Sequence, residues 1–185
     1  MGASTRYLNR AVTAVCAFWL AAGAHAARAD DAQLLKDLKS SDPATWQRAQ
    51  ADLQREWSSS GSPSMDLLLQ RGVAALVAND PRAAVDHLSA LIDHAPDFAE
   101  GYAMRARAFQ AQGAFGPALN DLARALTLNP NDYVAIAQLG GILEATGNRK
   151  DALAAYRMST AILPHQPEVL DAIKRLEARA NGQEL

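Results

Sequence analysis

Histidine, serine, glycine and carboxylate side chains are the groups that could do chemistry in this chain, and their spacing decides whether they can. His87 and His94 stand seven residues apart, about 10 Å along a helix axis at roughly 1.5 Å per residue. One metal ion cannot be gripped over that span; a zinc-binding helix places its histidines at i and i+4. These two and His165 therefore read as solvated surface residues rather than ligands or pH sensors. The serines of 58–62 lack the Gly-x-Ser-x-Gly frame of a strained nucleophile turn and read as a loop. Gly140-Gly141 is not followed by Lys-Ser/Thr, so it is no phosphate cradle. Asp121, beside Asn120, reads as part of an outer polar helix face, and Asp30-Asp31 has nothing around it to hold a geometry. No catalytic residue, metal site or cofactor is expected, and the chain reads as a non-enzyme.

Composition bounds the partners. With 185 residues there is room for one compact domain, and 49% hydrophobic with 21% charged residues is ordinary for a folded chain. Aromatics reach only 6%, and much of the apolar share is alanine, which suits closely packed helices. The first 29 residues read as a secretory signal peptide: Arg6 and Arg10, an apolar run from Ala11 to Ala24, then the small-residue ends Ala24-His25-Ala26 and Ala27-Arg28-Ala29. The run falls short of the roughly 20 residues that span a bilayer. Cleavage is expected after Ala29, with Ala26 as the second choice, leaving an exported and most simply periplasmic protein. Cys16, the only cysteine, has no small residue before it and reads as a passive apolar residue of the leader. Cleavage removes three arginines and no acid, moving the formal charge from −2 to −5. A mildly acidic chain without a basic block argues against nucleic acid, and against a membrane partner unless the leader is retained.

The elements that must position any site announce themselves by periodicity. Pro96, Pro130 and Pro164 recur every 34 residues, as do Gly72, Ala106 and Gly140, and Ala84, Ala118 and Ala152. Leu88, Leu122 and Tyr156 keep the same step, and so do Ala75, Phe109 and Leu143. A repeat of this length is one helix–turn–helix unit, too small to bury its own apolar face, so copies must stack.

At these residues the chain resembles the tetratricopeptide repeat family over 65–166, as units 65–98, 99–132 and 133–166. The third unit matches best, with Ile136, Leu139-Gly140, Leu143, Ala152, Tyr156 and Pro164, and Ser159 in the late Ala place. The second carries Arg105-Ala106 where Leu-Gly is usual. The first carries Arg71 before Gly72 and Leu91 in the late Ala place, and the tryptophan slot holds Leu68, Tyr102 and Ile136. The resemblance implies an all-α solenoid of three helical hairpins. The Gly72 column marks where a unit's first helix meets its second, with the Ala84 column answering and the Leu88 column filling space between units. The turns read Asn79-Asp80-Pro81, Gln112-Gly113-Ala114 and Thr146-Gly147-Asn148.

Both ends of a solenoid need covers. Pro167–Ala180 has an apolar stripe at Val169, Leu170, Ile173 and Leu176 and a polar face at Asp171, Lys174, Arg175 and Arg179. It is expected to be a capping helix, followed by a tail to residue 185. Residues 30–64 are expected to be an N-terminal helical segment and loop: a short helix at Leu34, Leu35 and Leu38, then one from Asp42-Pro43. On the latter Trp46, Leu53 and Trp57 share a face expected to pack on the first repeat.

The resemblance also implies where a partner binds: the concave face lined by first helices. Its positions are Leu69, Val73 and Leu76, then Glu100, Ala103, Arg107 and Gln110, then Val134, Ala137, Gly141 and Glu144, with Asp66 beside them. Arg107 is the one basic residue among them. The family's carboxylate clamp uses Lys, Asn and Arg; Leu69, Val73, Met104, Val134 and Gln138 stand here instead, so an acidic C-terminal tail is not the expected ligand. The reading is a non-catalytic interaction scaffold or assembly factor of a bacterial envelope, binding a protein or peptide. Alternatives are an accessory subunit or domain of an envelope enzyme complex, or a membrane-anchored adaptor with an uncleaved leader.

Overall fold

A computed structural model describes residues 31–180 and 182. The leader with its two cleavage positions, Cys16 and the tail beyond Ala180 other than Gly182 lie outside the described residues. No described helix is long and apolar enough to cross a membrane.

The chain divides into two compact units between Leu53 and Gln54. In the first, residues 31–37 are helical (α1), and α2 begins at Pro43 and runs on to Trp57. Asp42 caps α2: its Oδ2 accepts the Thr45 amide at 3.0 Å and the Thr45 hydroxyl at 2.6 Å. Leu38, Ala49 and Leu53 are buried. The last turn of α2 belongs to the second unit.

The second unit holds three helical hairpins and a final helix. Helix α3 (Pro63–Val77) pairs with α4 (Pro81–His94), α5 (Ala99–Ala111) with α6 (Phe115–Leu128), and α7 (Tyr133–Ala145) with α8 (Arg149–Ile162). Each second helix also packs on the next first helix, and α9 (Pro167–Ala180) covers α8. The first helices α3, α5 and α7 touch in sequence, whereas the second helices do not meet to that extent. The first helices thus form the inner, concave row.

Local chemistry explains the breaks. Asn79, Gly113 and Gly147 take positive φ of 57°, 71° and 83°, each just past a helix end. In each turn the residue after it donates its amide back into the helix: Asp80 to Ala75 O, Ala114 to Phe109 O and Asn148 to Leu143 O, at 2.8 to 2.9 Å. Orphan carbonyls are satisfied, and the chain reverses in the same way three times. At the other ends, α4, α6 and α8 each stop two residues before Pro96, Pro130 and Pro164.

The close-approach column is real but meets a different neighbour. A methyl group on Gly72 would lie 2.5 Å from Leu88 Cγ, and one on Gly140 would lie 2.7 Å from the Tyr156 ring. The large residue, not the alanine of the facing helix, directly opposes the glycine. Leu88, Leu122 and Ile142 are fully buried, each contributing roughly 1.5–3 kcal/mol by burial.

Three departures from the repeat pattern are compensated. Leu91 stands fully buried where a small residue is usual, and it fits because Gly101 across from it lacks a side chain. Ser159, also fully buried, donates its hydroxyl to Tyr133 O at 2.7 Å. Arg105 makes a two-pronged pair with Asp121 (both bonds 2.8 Å), donates to Ser89 Oγ, and lies over the Tyr102 and Phe109 rings. The expectation that Asp121 belongs to a plain outer face is therefore corrected. It is 6% exposed, because Arg105 reaches across from α5 to hold it.

Candidate functional site

Two depressions border the inner row among the described residues. One, of about 330 Å³, lies between α5 and α7. Glu100, Ala103, Met104 and Arg107 of α5 face Val134, Ala135 and Gln138 of α7, with Asp132 just before α7 and Gln54, Trp57 and Ser58 completing the rim. The other is a more open groove along α3 that includes Asp66, Leu69 and Val73, beside Arg55 and Ser58.

Of the positions expected on this face, Glu100, Ala103, Arg107 and Val134 meet at the α5–α7 cleft, and Leu69 and Val73 at the α3 groove. Leu76, Gln110, Ala137, Gly141 and Glu144 line neither. Leu76 is half-buried against the first hairpin's core. Gly141 lies next to the Tyr156 hydroxyl and the Gln110 amide, both within about 4 Å of where its Cβ would be. Glu144 is held by Arg175 of α9 (2.8 and 2.9 Å) and accepts the Tyr156 hydroxyl at 3.2 Å. The Glu144–Arg175 pair fastens the capping helix, so Arg175 does not belong to a purely solvent-facing stripe. Leu69 and Ala103 are buried at 6% and 5%, whereas Val73 and Val134 are exposed at 38% and 44%. Asp66 accepts the Ser60 amide and hydroxyl, which shape the loop before α3 and hold its carboxyl below the usual range.

Trp57 departs from expectation. Its ring lies 5.8 Å from that of Tyr133 at the start of the third hairpin, tilted by 54°. It does not merely pad the first repeat; it forms a wall of the cleft. Periodicity could not have found it, because α2 stands outside the repeat and the 58–62 loop sets where it arrives. Met104 and Gln138, by contrast, occupy one column of the 34-residue register, one residue from the Ala103 and Ala137 column.

The electrostatics are concentrated at the cleft. Glu100 is pushed up to about 7, chiefly by burial and secondarily by the nearby Asp132 carboxylate. Burial also raises Asp132, against the opposing effect of the Ala135 and Val134 amides that its Oδ1 accepts as the cap of α7. Glu100 makes no hydrogen bond or ion pair among the described residues. Arg107 is exposed, likewise without an ion-pair partner among them. Also among the described residues, no group of three or more His, Cys, Asp or Glu could hold a metal.

A row of stacked helical hairpins with an inner cleft defines the class of repeat solenoids. The tetratricopeptide repeat family profile matches residues 109–176. A TPR repeat-containing protein of Rhizobium etli is 27% identical over 151 residues, covering 81% of this chain and 74% of the relative. The Arabidopsis OM64 TPR domain superposes with a TM-score of 0.59 at 25% identity, covering 61% of this chain and 93% of that domain. The first TPR of Spaghetti (RPAP3), bound to the HSP90 peptide SRMEEVD, gives a TM-score of 0.61 at 19% identity over 63% of this chain and 95% of that one. This chain is similar to tetratricopeptide-repeat proteins, in the profile match over 109–176 and in its fold.

Proposed function

We propose that the chain is a non-catalytic interaction module of the bacterial envelope that binds an extended or helical peptide of a protein partner along the inner row of α3, α5 and α7. The observation that carries this reading is the continuous inner face with its α5–α7 cleft, where exposed Val134 and Arg107 border a buried apolar floor. The similar Spaghetti repeat is a peptide-bound one, which supports a peptide ligand here. Export rests on the leader sequence and is part of the proposal. Leu69, Val73, Met104, Val134 and Gln138 stand where the clamp uses Lys, Asn and Arg, so the ligand differs from an acidic tail.

The test is partner capture from the native envelope with wild type, Val134→Asp and Arg107→Glu, with Met158→Asp as control. Met158 is 60% exposed on the second helix α8. Val134 lies in the first turn of α7, where an acid suits the helix dipole, so the fold should hold. Capture should fall at least fivefold for Val134→Asp and measurably for Arg107→Glu, and stay unchanged for Met158→Asp. Equal capture by all four folded proteins would overturn the reading.

A further inference from the structure

We infer that the α5–α7 cleft accepts the cationic side chain, lysine or arginine, of the bound peptide, seated against Glu100 and Asp132 with the Trp57 ring as its wall. This rests on the peptide-binding reading above and adds the chemistry of the residue recognised.

Five observations meet at one place. Glu100 borders the cleft without a hydrogen-bond or ion-pair partner among the described residues. Asp132 spends only Oδ1 on capping α7, leaving Oδ2 for a ligand. Two carboxylates in a half-dry cleft repel each other, and a cation between them relieves that repulsion while replacing lost water. The apolar flank of Met104 and Val134 matches the methylene stem that lysine and arginine bury behind their charged heads. The indole of Trp57, 5.8 Å from the Tyr133 ring, lines the same cleft, and an aromatic ring there can attract a cation. Gln138 lines the same cleft with its Nε2 buried and without an acceptor; a peptide carbonyl supplies one.

The charged groups around Glu100 set the sign of the pH dependence. Asp132 comes from the start of α7. Gln54, Trp57 and Ser58 from the end of α2 and its following loop are neutral, and Arg55 lies in the neighbouring α3 groove. Arg107, on α5 itself, stands two turns from Glu100, roughly 10 Å along the axis, and leaves the carboxylate end open to a cation. Glu100 attracts the ligand only when ionised, and burial raises its pKa to about 7. Affinity should therefore fall as pH drops through neutrality.

The probe is N-acetyl-argininamide, titrated into the nitrogen-15-labelled full chain at pH 8. The signal followed is the Trp57 indole N–H, assigned with Trp57→Phe; N-acetyl-norleucinamide serves as the neutral control. A saturable shift at least tenfold weaker for the control is expected. Glu100→Gln should weaken argininamide at least fivefold, and so should lowering the pH to 5.5, while Met158→Asp on the outer face of α8 leaves it unchanged. Asp132→Asn, which keeps the cap acceptor, should also weaken it. No saturable shift, equal response to the neutral control, or wild-type affinity in both Glu100→Gln and Asp132→Asn would overturn the inference. If capture is still lost in Val134→Asp, that failure concerns the cation alone and the groove reading stands.

Discussion

Glu100 and the Arg105–Asp121 pair show what single residues contribute beyond the repeat pattern. Burial pushes the Glu100 carboxyl up from its ordinary value of 4.5 to about 7. The fold thus favours the protonated form: stability is fully present below about pH 4.5 and is lost as pH rises through 7. Glu100→Gln should accordingly raise the unfolding free energy from urea melts at pH 8 by on the order of 1–3 kcal/mol, and change it little at pH 4.5. A variant equally stabilising at both pH values would contradict the burial account. Asp121→Ala strands a guanidinium between helices and should destabilise by about 2–3 kcal/mol, below the range for wholly buried pairs because Arg105 keeps 20% exposure. Arg105→Leu with Asp121→Ala should recover much of that loss in denaturant melts. The sequence displayed Arg105 as a departure but not its partner, since a pair sixteen residues apart on two helices is invisible without their relative rotation. The same blindness hid the unpartnered state of Glu100 and the diversion of Glu144 to Arg175.

At the scale of elements, the 34-residue step made the hairpins readable, because each turn needs a residue tolerant of positive φ and each second helix needs a stop. The glycine column gives a sharp check. Gly140→Ala places a methyl 2.7 Å from the Tyr156 ring, and should cost about 1–3 kcal/mol by overpacking less about 1 kcal/mol of helix propensity. Gly116→Ala sits in the first turn of α6 with open space around it, and should be neutral or slightly stabilising. Thermal melts of both variants decide it; equal effects would mean the Gly140 contact is not tight. Helix α2 was readable as a helix from Asp42-Pro43 and its apolar spacing. The destination of Trp57 was not, because nothing periodic ties the 58–62 loop to the third hairpin.

For the whole molecule, stacking three hairpins and a capping helix creates an inner row that no single unit possesses, and the central claim is that this row is the binding surface. The class of architecture was legible from five repeating columns. The location of the cleft was half legible, through the Glu100–Val134 and Met104–Gln138 columns, and half dependent on the arrival of Trp57. Site-specific photo-crosslinking in the native envelope tests the claim most directly, with a photoreactive residue placed at Arg107 or Val134 on the inner row, or at Met158 or Ala123 on the second helices. The account predicts partner adducts from the two inner positions, competed by excess unlabelled chain, and none from the outer two. Adducts only from Met158 or Ala123 would contradict it.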